Sequence, residues 1–312
     1  MIKNRRWILL TIGGVLAIGF FLNSSWRQDL GTCCDNARVA FQPVDPKLIQ
    51  YHERESIVPT VGTISALAVS TAGKIYIGGA NAIERVGGEK YLLPGASMCL
   101  AVDDSGTIFA GMRTHVLVIK GGEITEWPSL GEKARLTSIA VDEWYVYVAD
   151  AGNRRIWRYK KGGSEPLEIG KKNWANAVRG FNVSSPFFDV AISPADGSIW
   201  AVNPGYHALE NYRPDGMPLS SWEAPSMTIQ GFSGCCNPAH FALMPDGGFV
   251  TTEKGLPRVK IHNRDGSLRC VVAASDQFDA DVMGLDVAVG SDGTIFVLDP
   301  ARNRVRVFEA NL

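Results

Sequence analysis

Short apolar triplets recur along the chain, and a polar turn and a second β-rich run follow each. The triplets are Leu67-Ala68-Val69, Leu100-Ala101-Val102, Ile139-Ala140-Val141, Val190-Ala191-Ile192, Phe241-Ala242-Leu243 and Val287-Ala288-Val289. Among the turns are Asp103-Asp104-Ser105-Gly106, Pro194-Ala195-Asp196-Gly197, Pro245-Asp246-Gly247 and Ser291-Asp292-Gly293. Apolar runs of this length, bounded by Asp and Gly, predict strands joined by tight turns. A second kind of hairpin lies downstream of the triplets. In its clearest copy, Val146-Tyr147-Val148 leads to Asp150, a turn passes through Gly152 and Asn153, and a new run starts at Arg155. The acid is again followed five places later by Arg at Glu253 and Arg258, and at Asp299 and Arg304.

Successive triplets are 33, 39, 51, 51 and 46 residues apart. A period in this range, with about four short strands per unit, predicts the blades of a β-propeller. One such sheet cannot bury both of its faces alone, whereas radial packing lets each blade cover its neighbours. The pattern therefore predicts an all-β, six-bladed β-propeller over residues 61–312. The last unit has only three strand-like runs, so a strand between residues 37 and 57 is expected to complete it and protect the open edge.

The hairpins Ala149-Asp150-Ala151-Gly152-Asn153-Arg154-Arg155-Ile156 and Asp299 to Val305 resemble those of the NHL-repeat β-propeller family. The match is fair at Glu253 and weak in the first, second and fourth blades, where Gly79, Met112 and Asn203 stand near the acidic position. The resemblance covers roughly residues 60–310. It implies the fold, and beyond it a range of roles: protein- or RNA-binding platforms, sensor domains and, in some relatives, lyases.

The N-terminus changes the picture. Lys3, Arg5 and Arg6 precede an uncharged, mostly apolar run from Trp7 to Leu22. Such a run is just long enough to span a bilayer when its flanks snorkel. A cleaved signal peptide is the alternative, but no small-x-small site follows Leu22. Residues 1–26 are therefore expected to be a cytoplasmic basic flank and transmembrane signal-anchor helix. Residues 27–60 read as a tether, and the propeller is expected on the extracytoplasmic (periplasmic or extracellular) side. The net charge is −1, and setting aside the three N-terminal cations leaves −4 for the rest. That balance argues against nucleic acid, which needs a clustered basic face.

Six cysteines include two adjacent pairs, Cys33-Cys34 and Cys235-Cys236. In an oxidising compartment these four are disulfide candidates. A cross-link between the pairs would close a loop of about 200 residues, worth on the order of 5 kcal/mol in the chain-entropy view. The other reading is a metal or redox site. Cys270, in a mostly apolar run, is expected to be simply buried.

Rotational symmetry adds a further expectation. The residue before each triplet should fall on a ring near one end of the central channel: Ala66, Cys99, Ser138, Asp189, His240 and Asp286. Small or polar groups there could simply satisfy strand ends near channel water. Alternatively, His240, Cys235, Cys236, Asp189 and Asp286 form a candidate site for a transition metal, zinc or copper. Asp150, Glu253, Asp299 and Asn203 are expected on that same face as ligand-facing residues. No nucleophile motif, phosphate loop or HExxH is present, so nothing in the sequence requires catalysis. The first functional reading is a membrane-anchored binding or sensor module that presents one loop face to a protein, peptide or glycan. The second is a metal-dependent lyase or redox protein centred at the channel mouth.

Overall fold

Each predicted unit folds into a four-stranded antiparallel sheet, and six such sheets are arranged around one axis. The structure, a computed structural model, describes residues 43–176, 178–234, 236–279 and 282–311. The apolar run Trp7–Leu22, together with Cys33, Cys34 and Cys235, lies outside the described residues. Among the described residues no helix is long and apolar enough to cross a membrane.

The innermost strand of every blade carries one of the triplets. These strands are Ile64–Val69, Cys99–Val102, Leu136–Val141, Val190–Ile192, His240–Leu243 and Asp286–Val289. The turns that follow them are built as the sequence implies. Asp103 Oδ1 accepts from the N–H groups of Ser105 (3.0 Å) and Thr107 (2.9 Å), and Asp246 Oδ1 from Gly248 N (2.9 Å). Gly106 and Gly247 take φ of 81° and 84° in these turns, a region that costs a residue with a Cβ.

The propeller is closed by a strand from the N-terminal side. Tyr51–Glu53 pairs antiparallel with Arg304–Ala310, and Tyr51 faces Ala310 while Glu53 faces Phe308. Ile57 and Val305 exchange backbone hydrogen bonds of 2.8 and 2.9 Å beyond the strand proper. Glu53 also takes a two-pronged contact from Arg306, at 2.8 Å to Nε and 2.6 Å to Nη2. Blade six thus combines one early strand with three late ones, and no long edge is left unpaired there.

Apolar cores lie between successive blades. Tyr147, Phe188, Phe232 and Phe249 are almost fully buried in one of them, and Phe109 packs edge-on to Trp127 in another. The connections are uneven. Six residues lead from Leu92 to the inner strand at Cys99, but the segments entering blades four, five and six run from Ile169 to Val190, Glu223 to His240 and Ala273 to Asp286. This asymmetry follows the triplet spacings, and it builds up one end of the channel on the side of blades four to six.

Candidate functional site at the channel mouth

Asp189, His240 and Asp286 come from three consecutive blades and meet at the built-up end of the channel. His240 Nδ1 lies 3.4 Å from Asp189 Oδ2 and 3.6 Å from Asp286 Oδ1. One donor atom from each of the three falls within 4.8 Å of the others. Asp189 and His240 are buried, and Asp286 is the open side of the cluster, its side chain 24% exposed.

Backbone contacts between blades hold these side chains. Asp189 Oδ1 accepts from its neighbour Val190 N, and Oδ2 accepts from Phe241 N in the next blade, both at 2.8 Å. Asp286 Oδ1 accepts from Val287 N at 2.8 Å. The Leu67 N–H of blade one also favours the charged form of Asp286. Hydroxyls of the preceding blades fix the approach. Thr137 Oγ1 donates to Phe188 O (2.6 Å) and Thr252 Oγ1 to Leu285 O (2.7 Å), one residue before each aspartate.

The electrostatics follow from burial beside like and unlike charges. Burial alone would lower the His240 pKa, but the Asp189 and Asp286 carboxylates outweigh it and the value is raised. Desolvation pushes Asp286 up to about 6; His240 opposes that shift and Asp189 adds to it. Burial, then the charges of Asp286 and Asp189, drives the Cys99 thiol well above its ordinary range. His240 Nδ1 is buried and has no partner of hydrogen-bonding geometry, despite its closeness to both carboxylates. The other ring positions are quiet. Ala66 is fully buried, and Ser138 Oγ bonds the backbone of Val190.

The segment before His240 is tied to blade five. Asn237 Nδ2 donates to Ser233 O (2.7 Å) and Lys254 O (3.1 Å), and its Oδ1 accepts from Lys254 N (2.9 Å). Cys236 is buried with Sγ 2.7 Å from Ser184 Oγ, outside the Asp189–His240–Asp286 set. Among the described residues there is no disulfide, and Cys270 is buried. Phe187, which the sequence reading did not single out, meets the His240 ring edge-on at 5.6 Å between centroids. It also fills the space above Gly284, where a Cβ would come within 2.5 Å of its ring.

Asp150, Glu253, Asp299 and Asn203 end their strands on the same face, and all four are buried. Asp150 accepts from Arg135 N (2.9 Å), Asn153 N (3.1 Å) and Asn153 Nδ2 (2.7 Å). Asn203 bonds Asn182 N and Gly180 O, and Asp299 accepts from Arg302 N at 3.3 Å. Glu253 is the most heavily engaged. Arg258 Nε reaches it at 2.6 Å and Lys260 Nζ at 2.8 Å, with all three side chains almost fully buried. The two cations continue to the carbonyls of Ile229 and Gly231, strapping the segment that leads to His240 onto blade five. Lys260 was absent from the expected set. Its signal was its place two residues beyond Arg258, on the same side of the strand.

Of the remaining histidines, His52 bonds Asn311 and His115 lies beside Glu126. His207 Nδ1 is 3.1 Å from Asn237 O, and His262 is buried in blade five.

No family profile and no curated protein sequence matches the chain. Solved structures do. A streptogramin B lyase structure superposes with a TM-score of 0.58 at 13% identity, covering 86% of this chain and 100% of that one. A catalytically inactive virginiamycin B lyase from Staphylococcus aureus, solved with quinupristin, gives 0.58 at 15% identity over 82% and 83% of the two chains. The WD40 propeller domain of Doa1 gives 0.54 at 16% identity over 80% and 79%. At such identities the likeness establishes the fold. This chain is a six-bladed β-propeller, and its fold is similar to that of the lyase structures.

Proposed function

We propose that this chain is a binding module whose ligand site is the channel mouth formed by Asp189, His240 and Asp286. The observation that carries the reading is the convergence of three titratable side chains from three blades, two of them buried, beneath the longest connections of the molecule. Loops of this kind on a rigid scaffold are where propellers and other all-β folds place ligand contacts. The NHL-like hairpins around Asp150 and Asp299 support the same class of role. The basic flank and apolar run Trp7–Leu22 support anchorage in a membrane, with the mouth presented to a protein, peptide or glycan on the extracytoplasmic side. In that compartment Cys33 or Cys34 would pair with Cys235 or Cys236 and tether the site loop.

Crystals soaked with a small-fragment library in the presence of EDTA test this reading. Fragments are expected at the mouth, against Phe187 and His240, and to be lost from crystals of His240→Ala. Fragments gathering only in the pocket lined by Asp103, Asp142 and Lys161 would overturn it.

A second reading is elimination chemistry, with His240 as the proton-transferring group. The likeness to virginiamycin B lyases favours it, as does the position of His240 between two carboxylates. Incubating quinupristin with the purified chain and with His240→Ala decides this reading: linearised product formed by the first and not the second would support it.

A further inference from the structure

We propose that the channel mouth holds one divalent transition-metal ion of the zinc class, bound by His240 Nδ1 and one oxygen each of Asp189 and Asp286. This rests on the binding reading above and names the chemistry of its site.

Two of the three donor separations fit such an ion, and all three donors lie within 4.8 Å of one another. A tetrahedral zinc with bonds of about 2.0–2.1 Å holds its ligands about 3.3 Å apart. The two His240-to-carboxylate separations, 3.4 and 3.6 Å, are close to that edge. They are too long for a good hydrogen bond, and His240 Nδ1 is left buried without a partner. A buried ring nitrogen of this kind is costly unless something occupies its lone pair or takes its proton. The charges agree as well: two carboxylates and a neutral imidazole offset a divalent ion.

The outer contacts are those of a ligand set. Both Asp189 oxygens take a backbone N–H, from Val190 and Phe241, and Asp286 Oδ1 takes that of Val287. Each oxygen keeps a lone pair, and its direction is fixed from behind, as outer hydrogen bonds fix ligands in metal sites. The donors are one nitrogen and two oxygens. Cys236 Sγ is engaged with Ser184 Oγ, so the described set contains no thiolate and suits zinc, cobalt or manganese rather than a soft cuprous ion. Three protein ligands leave a fourth position, and the partial exposure of Asp286 puts it on the side of the mouth. An open fourth position is the mark of a site that receives a ligand. It would take an anionic oxygen, such as a carboxylate, from the molecule bound at the mouth.

Titration of the full-length, metal-stripped chain with Zn²⁺ by calorimetry tests the site, with Co²⁺ substitution as a spectroscopic readout. The expected result is one tight site per chain. The cobalt form should show visible bands of four-coordinate intensity and no thiolate charge-transfer band. His240→Gln and Asp286→Asn should each weaken zinc binding by more than the roughly 10–100-fold that losing an outer partner costs. Their metal-free melting curves report whether the propeller still folds, and the wild-type cobalt spectrum stands whatever those curves show. No zinc binding by the wild type, or binding unchanged in His240→Gln, would overturn the proposal. A cobalt spectrum with thiolate bands would overturn the donor set. Fragments that occupy the mouth in EDTA while the wild type binds no zinc would leave the binding reading standing and remove the metal alone.

Discussion

Lys260 Nζ lies 2.8 Å from Glu253 Oε1, with both side chains fully buried between blades four and five. Burial lowers the Lys260 pKa to about 8, and Glu253 resists the shift. Arg258 shares the same carboxylate, so one anion serves two buried cations. Removing the anion should therefore be severe. Glu253→Gln is expected to cost about 3–5 kcal/mol, because it strands the charges rather than replacing them with apolar groups. Urea denaturation of the variant against the wild type measures it. Equal midpoints would mean that the pair contributes nothing net.

His262 predicts acid sensitivity. Its Nδ1 donates to Gly266 O at 3.0 Å, while Nε2 is buried without a hydrogen-bond partner beside Trp222 and Phe232. Burial, aided by the charge of Lys260, lowers its pKa to about 4. The unfolded chain takes up the proton near pH 6.5, well before the folded one does. The His262 contribution is therefore fully present above about pH 6.5 and lost as pH falls toward 4, on the order of 3 kcal/mol in all. His262→Phe should flatten this part of the profile. Thermal melts of both proteins from pH 7 to 4 check it, and parallel profiles would contradict it.

Asp189 predicts a graded series. Asp189→Ala leaves the Phe241 N–H without its acceptor, at about 1–3 kcal/mol for a buried group, and leaves the Val190 N–H only its 3.3 Å contact to Ser138 Oγ. Asp189→Asn keeps one acceptor oxygen and should cost less. Amide hydrogen exchange at Phe241 gives the local readout: it should quicken in the Ala variant and change less in the Asn variant.

The closing strand predicts a local weakness at blade six. Glu53→Ala removes both contacts to Arg306, whose side chain is only 4% exposed. A loss of about 1–2 kcal/mol is expected, since Arg306 keeps its bond to Gln277 O. Deleting residues 43–57 should cost far more, as it bares the edge of Arg304–Ala310. Circular dichroism melts of the two variants rank them, and the deletion melting with the wild type would refute the closure argument.

The triplets made the blades legible because a buried inner strand must be a continuous apolar run, and the Asp and Gly turns marked its ends. Symmetry then located Asp189, His240 and Asp286 together without any motif. Periodicity could not show where the hairpin acids spend their charge. Asp150, Glu253 and Asp299 read as ligand-facing residues, yet each is buried against its own blade's N–H groups or cations, because an acid ending a strand is needed first to satisfy the turn after it. Phe187 was invisible for a different reason. It sits in the irregular segment before Asp189, and only the three-dimensional course of that segment brings it onto His240.

The contact between Glu53 and Arg306 spans 253 residues of chain. A ribosome delivers the first partner long before the second, so blades one to five can form while the sixth waits for its remaining strands. During that interval Tyr51–Glu53 has no strand to join, and the inner strand of blade one lacks the neighbour that Asp286–Val289 later supplies. Arrival of the last strand converts an open arc into a ring in one step. It sets the wait that any quality-control factor in the cell would have to tolerate.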